Sequence, residues 1–115
     1  MQAQFKCSIE DGLKQLPYDG KRSVPMFNHG SLSVKVYAPR GSDPQQPHTR
    51  DEIYVVTAGN GIFVTPDKRQ PFRPTDLLFV PAGVAHRFEE FSDDFAVWVM
   101  FYGPEGGENE KIRTE

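Results

Sequence analysis

Between its glycines and prolines the chain reads as a series of short apolar runs, several with a period of two. Leu32, Val34 and Val36 alternate with Ser31, Ser33 and Lys35, the signature of a strand with one buried and one wet face. β-Branched and aromatic content between turn residues predicts strands over 23–27, 31–38, 53–57, 61–65, 77–80, 86–88 and 95–102. Pro25 has no N–H for a ladder, so the first run belongs at a sheet edge. Asn28-His29-Gly30 and Ala58-Gly59-Asn60-Gly61 hold residues that accept positive φ, and both are predicted as hairpin turns. From Phe95 to Phe101 the chain is apolar at both parities. Such a strand needs cover on two sides, from the domain core and from a second sheet or a second copy of the chain, and a homodimer is therefore expected.

Helical periodicity is confined to the N-terminus. Ser8 to Leu16 predicts one short helix with Ser8 as N-cap and Asp11 in the first turn, ended by Pro17 and weakened by Gly12. The pattern divides the chain into an N-terminal segment (1–19), a β domain (20–104) and a charged tail expected to fray (105–115). A length of 115 residues suits one domain with a modest core. The pattern is that of an all-β fold, a sandwich or a barrel, with one short N-terminal helix.

Charge and cysteine content narrow the partners. Thirteen Lys and Arg against sixteen Asp and Glu leave a formal charge of −3, which implies no basic surface for nucleic acid or anionic membrane. No apolar run approaches the roughly 20 residues that span a bilayer, and the first ten residues lack the apolar centre of a secretory signal. Cys7 is the single cysteine, compatible with a reducing compartment, and a cytoplasmic location is expected.

Candidate chemistry concentrates on two of the three histidines. His48 lies in Pro47-His48-Thr49-Arg50-Asp51-Glu52, and His86 ends Pro81-Ala82-Gly83-Val84-Ala85-His86. His48 and Glu52 share parity with Tyr54, yet four residues of straight strand span roughly 13 Å, too far for two ligands of one metal. A bend at Thr49-Arg50-Asp51 would bring them together. Two imidazoles and one carboxylate can hold a transition metal; the bland alternative is a pair of buried, hydrogen-bonded histidines in a metal-free barrel. His86, Phe88 and Glu90 share a face by the same counting, and Gln46 shares parity with His48 as a possible fourth, weaker ligand. Tyr54 and Phe88 are expected as walls of the substrate pocket, and Glu90 as a general base or a partner of a ligating imidazole. His29 reads as a turn residue. Arg40, Arg50, Arg69, Arg73 and Arg87 could clamp a carboxylate, although surface ion pairs are the default for each.

These residues resemble the cupin superfamily, whose small β-barrels line a metal pocket with two short motifs. The first has Gly, five residues, His-any-His, three or four residues, Glu, six residues, Gly. Here His48, Glu52 and Gly59 match, Gln46 stands in place of the first histidine, and Arg40 in place of the first glycine. The second motif has Gly, five residues, Pro-any-Gly, two residues, His, three residues, Asn. Pro81, Gly83 and His86 match, Thr75 replaces the glycine and Glu90 the asparagine. The resemblance implies that His48, Glu52 and His86, with Gln46 in question, bind a divalent transition metal (Fe, Mn, Ni, Zn or Co). It implies a single antiparallel β-barrel or jelly roll, and a protein acting on a small organic molecule, a non-haem oxygenase first. Non-catalytic binding or sensing, and metal-assisted isomerase or epimerase chemistry, stand as the alternatives.

Overall fold

The structure is a computed structural model that describes residues 6–109. Helix α1 (Ile9–Lys14) is followed by β1 (Ser23–His29), β2 (Leu32–Tyr37), β3 (Asp51–Ala58), β4 (Gly61–Thr65), β5 (Lys68–Phe72), β6 (Leu77–Val80), β7 (Arg87–Glu89) and β8 (Ala96–Tyr102). The strands form two antiparallel sheets, β1-β2-β8-β3-β6 and β5-β4-β7, that face each other in a jelly-roll arrangement without closing into a continuous barrel. Tyr54, Val56, Val97 and Val99 of the larger sheet meet Phe63, Phe72 and Phe88 of the smaller one. Phe95 completes the aromatic centre, its ring centroid 4.7 Å from that of Phe88. Each such side chain contributes about 1.5–3 kcal/mol by leaving water. Among the described residues, no helix is long and apolar enough to cross a membrane.

Ser8 caps α1, accepting from the Asp11 amide at 3.1 Å. Gly12, which lowers helix propensity, is what lets α1 lie on the larger sheet: a Cβ there would come within 2.5 Å of Val36 Cγ2. Pro25 sits in β1, an edge strand, next to a register shift between Pro25 and Phe27.

Three expectations are corrected. The Ala58-to-Gly61 turn joins no hairpin; it carries the chain from β3 in one sheet to β4 in the other. Gly59, at φ 86°, is pressed there against Phe95, whose Cα would lie 2.5 Å from an added Cβ. Strand β5 escaped prediction because Lys68, Arg69, Gln70 and Pro71 are all exposed and only Phe72 is buried. It is an edge strand, where charge and proline are tolerated. In place of a frayed start to the tail, residues 105–108 are hydrogen-bonded to the domain. The Asp51 carboxylate accepts from the Glu108 amide at 2.8 Å, and the Gly106 amide donates to the Thr49 carbonyl at 2.6 Å. Residues 110–115 of that predicted tail, and residues 1–5, lie outside the described residues.

Candidate metal centre

Two loops build the site, and the backbone ties them together. The Gly83 amide donates to the His48 carbonyl at 2.7 Å, and the Ala82 amide donates to Asp51 Oδ1 at 2.9 Å. Asp51 is buried, so its carboxylate exchanges hydration for these bonds and locks the Pro81–Gly83 turn onto the start of β3. His48 lies just before a bend at Thr49 and Arg50, Glu52 on the inner face of β3, and His86 immediately before β7. The bend required by strand geometry is therefore present.

His48 Nε2 is 2.5 Å from Glu52 Oε1, and His86 Nε2 is 3.1 Å from the same oxygen. The candidate ligand atoms of all three residues lie within 4.8 Å of one another. Glu52 is only 2 % exposed. The far side of each imidazole faces a backbone carbonyl: His48 Nδ1 is 2.7 Å from Arg50 O, and His86 Nδ1 is 2.9 Å from Val84 O. A carbonyl only accepts, so both Nδ1 atoms carry hydrogen. In their neutral forms both rings then turn the Nε2 lone pair inward, toward a carboxylate that also only accepts. Three acceptors converge with no hydrogen among them, and the cluster calls for a cation.

A proton or a metal can supply it. Burial disfavours the charged form of His86, but its hydrogen bonds to Glu52 and the Val84 carbonyl and the charges of Glu52 and Asp43 outweigh this and raise its pKa above the ordinary 6.5. Two nitrogens and one carboxylate oxygen are a donor set suited to a divalent transition metal, and the backbone-held Nδ1–H groups fix the tautomer such ligation needs. The residues fit the group.

Tyr54, fully buried, places its hydroxyl 3.0 Å from His86 Nε2 and donates to Gln45 Oε1 at 2.9 Å. Gln45 donates onward to Asp43 Oδ2 at 2.6 Å, which also accepts from the Phe88 amide at 2.7 Å, and Tyr37 donates to Asp43 Oδ1. Burial, then the Glu52 charge and hydrogen bonding, raise the Tyr54 pKa well above the phenol range. Burial and Asp43 do the same for Tyr37. Both phenols remain protonated donors. Tyr54 and Glu52 line an open cleft of about 560 Å³.

Three predicted site residues lie elsewhere. Gln46 is exposed, and it is Gln45 that turns inward: residues 43–48 are irregular, bracketed by Pro44 and Pro47, so strand parity does not extend back from His48. Glu90 follows the end of β7 at φ 52°, and this left-handed residue turns the side chain out, 71 % exposed and 3.0 Å from an Arg69 nitrogen. It is no base in the cleft. Phe88 belongs to the core, behind Tyr54 at a ring distance of 4.9 Å, and does not line the cleft. His29 is exposed at the end of β1. Asp43, Gln45, Tyr37 and Asp51 were not anticipated: Asp43 and Asp51 act through contacts distant in sequence, and Gln45 and Tyr37 through an irregular segment that carries no strand period.

Residues 33–102 match the family model described as Cupin domain. An uncharacterized protein of Streptomyces coelicolor is 36% identical over 77 residues, covering 65% of this chain and 73% of its own. A solved structure of unknown function from Rhizobium leguminosarum superposes with a TM-score of 0.68 at 18% identity, over 88% of this chain and 98% of that one. A Cupin 2 conserved barrel domain protein from Salinispora arenicola gives a TM-score of 0.60 at 21% identity, over 74% and 77%. At such identities the structural likenesses speak for the fold alone.

Proposed function

This chain belongs to the cupin domain family, and on that footing we propose that His48, Glu52 and His86 hold one divalent transition metal and that the protein acts through it on a small organic molecule. The observation that carries the reading is the orientation of the imidazoles. Each is fixed by a backbone carbonyl at Nδ1 with Nε2 toward the Glu52 carboxylate. A metal held by these three residues would supply Lewis-acid chemistry to a bound substrate. Around it, the Tyr54 hydroxyl stands 3.0 Å from His86 Nε2, oriented by the hydrogen bond it donates to Gln45 and through it by Asp43, and the aromatic core behind Tyr54 excludes water.

Oxidation by dioxygen is the first reaction class to test, because two histidines and one carboxylate are the ligand set of many non-haem iron(II) oxygenases. Isomerase or epimerase chemistry through Glu90 is not supported, since that carboxylate lies outside the cleft. The 2.5 Å contact of His48 with Glu52 favours a second reading, a metal-free binding module in which the imidazole closes on the carboxylate. Elemental analysis of protein purified without chelator, beside the His48→Ala/His86→Ala variant, separates the two. Near-equimolar metal, lost in the variant, is expected; no metal after reconstitution with Fe, Mn, Ni, Zn and Co would leave the binding module.

The same reading includes a homodimer in a reducing, cytoplasmic setting. Leu77 and Phe79 on the outer face of β6 are 62% and 51% exposed, beside half-buried Ile53, Val55, Trp98 and Met100. A second copy laid symmetrically on this face would cover it. Sedimentation or light scattering should return twice the chain mass for the wild type and the monomer for Phe79→Arg.

A further inference from the structure

The cleft that leads to Glu52 and Tyr54 is lined by four cationic side chains, Lys21, Arg22, Lys35 and Arg40, and by a single acid, Glu52. Among the described residues none of the four forms an ion pair. In a chain with a formal charge of −3, carboxylates are plentiful, so this local excess is a matter of placement.

Arg22 and Arg40 are held in place by backbone. Arg22 Nε donates to the Ala38 carbonyl at 2.8 Å, and Arg40 Nη1 donates to the Ala38 and Pro39 carbonyls at 3.3 and 3.1 Å. Ala38 and Pro39 are buried, which makes that anchor rigid. Two guanidinium groups thus converge on one carbonyl, and among the described residues both Nη atoms of Arg22, and Nε and Nη2 of Arg40, have no acceptor. Burial and then the charge of Arg40 lower the Arg22 pKa, and an arginine stays charged at neutral pH regardless. Lys35 Nζ lies 5.7 Å from the centre of the Phe101 ring, and Phe101 packs on His48 at 4.9 Å, so the basic wall continues to the ligand cluster.

We infer that the small molecule taken by this cleft is an oxyanion, a carboxylate or a phosphate monoester, whose charged group is gripped by Arg22 and Arg40 while its other end reaches Glu52 and Tyr54. Forked N–H donors fixed in advance suit a planar or tetrahedral oxyanion, because little side-chain freedom is left to lose on binding. A volume of about 560 Å³ admits a ligand of this class. The inference rests on the metal-centre reading for the reacting end of the ligand; the grip on the anion stands without it.

The test is calorimetric titration with benzoate, phenyl phosphate and neutral benzamide as probes, on metal-loaded and on chelator-stripped protein. Arg22→Gln/Arg40→Gln is compared with the wild type, and Arg69→Gln/Arg87→Gln serves as the control for charge removal. At least one oxyanion should bind about 10-fold or more tightly than benzamide, weaken with added salt, and lose about 10-fold or more in Arg22→Gln/Arg40→Gln but not in the control. Preference for benzoate assigns carboxylates, and preference for phenyl phosphate assigns phosphate monoesters. Equal binding of all three probes, an unchanged affinity in the cleft variant, or an equal loss in the control would overturn the proposal. The metal content of each protein is read in parallel. Arginine-dependent binding by stripped protein that never takes up metal would keep the anion grip and discard the metal centre, whereas full metal content without arginine dependence would do the reverse.

Discussion

Arg22 with Arg40, and Arg69 with Arg87, are two pairs of guanidinium groups in one small domain, and the fold treats them in opposite ways. On the smaller sheet Arg69 meets Glu89 at 2.7 Å and Glu90 at 3.0 Å, and Arg87 also pairs with Glu89. In the cleft, among the described residues, Arg22 and Arg40 meet only backbone carbonyls. Side-chain type and total charge do not distinguish the pairs. What separates them is whether carboxylates stand across the strand or are kept away, and that decides which pair is available to an outside anion. The acids obey the same division: Glu89 and Glu90 neutralise cations in solvent, while the buried Glu52 has two imidazoles and no arginine.

The comparison can be broken most forcefully at the cleft. His86→Ala should lower metal affinity by more than about 100-fold, since a ligand is lost where even outer partners are worth 10–100-fold. Elemental analysis with circular dichroism checks that metal goes while the β fold stays, and unchanged metal content would remove His86 from the site. Asp51→Ala comes next. It leaves the part-buried amides of Ala82 and Glu108 without their acceptor, with an expected loss of about 1–3 kcal/mol in a urea melt and weakened metal binding as the two loops part.

Smaller effects sharpen the contrast from the other side. Thr75 is held at φ 78°, a conformation costly for a β-branched residue, and its amide donates to the Val56 carbonyl at 2.8 Å. Thr75→Gly should stabilise the protein by about 1 kcal/mol with metal content unaltered. A melting experiment that shows destabilisation would mean the threonine side chain compensates for its backbone. Smallest of all, Arg69→Ala should leave the melting temperature nearly unchanged, because exposed ion pairs contribute little. A marked drop would make the outer network structural.

The departures from the cupin motifs acquire physical content here. Thr75 and Glu90, which replace the family's glycine and asparagine, both occupy positive φ, where those two residues are at ease. Counting parity forward from His86 to Glu90 failed because the strand ends at Glu89 and the next residue reverses the chain. Backward counting from His48 to Gln46 failed for a related reason: no strand exists there to carry the alternation. Where a strand does run, from Glu52 through Tyr54, the count succeeds and both side chains face the cleft.

By itself the sequence determined the class of fold, most strand positions, the helix cap at Ser8 and the grouping of His48, Glu52 and His86. The first three are written in local patterns, period two and turn residues, which act over a few residues; the grouping of the three ligands is what the resemblance to the two cupin motifs implied. Tertiary structure alone decided that Gln45 rather than Gln46 enters, that Glu90 leaves, that Asp51 joins the two loops and that Arg22 and Arg40 line the cleft without an ion pair among the described residues. Those outcomes depend on which distant groups are present to accept or neutralise a side chain, and such contacts exist only once the sheets have packed.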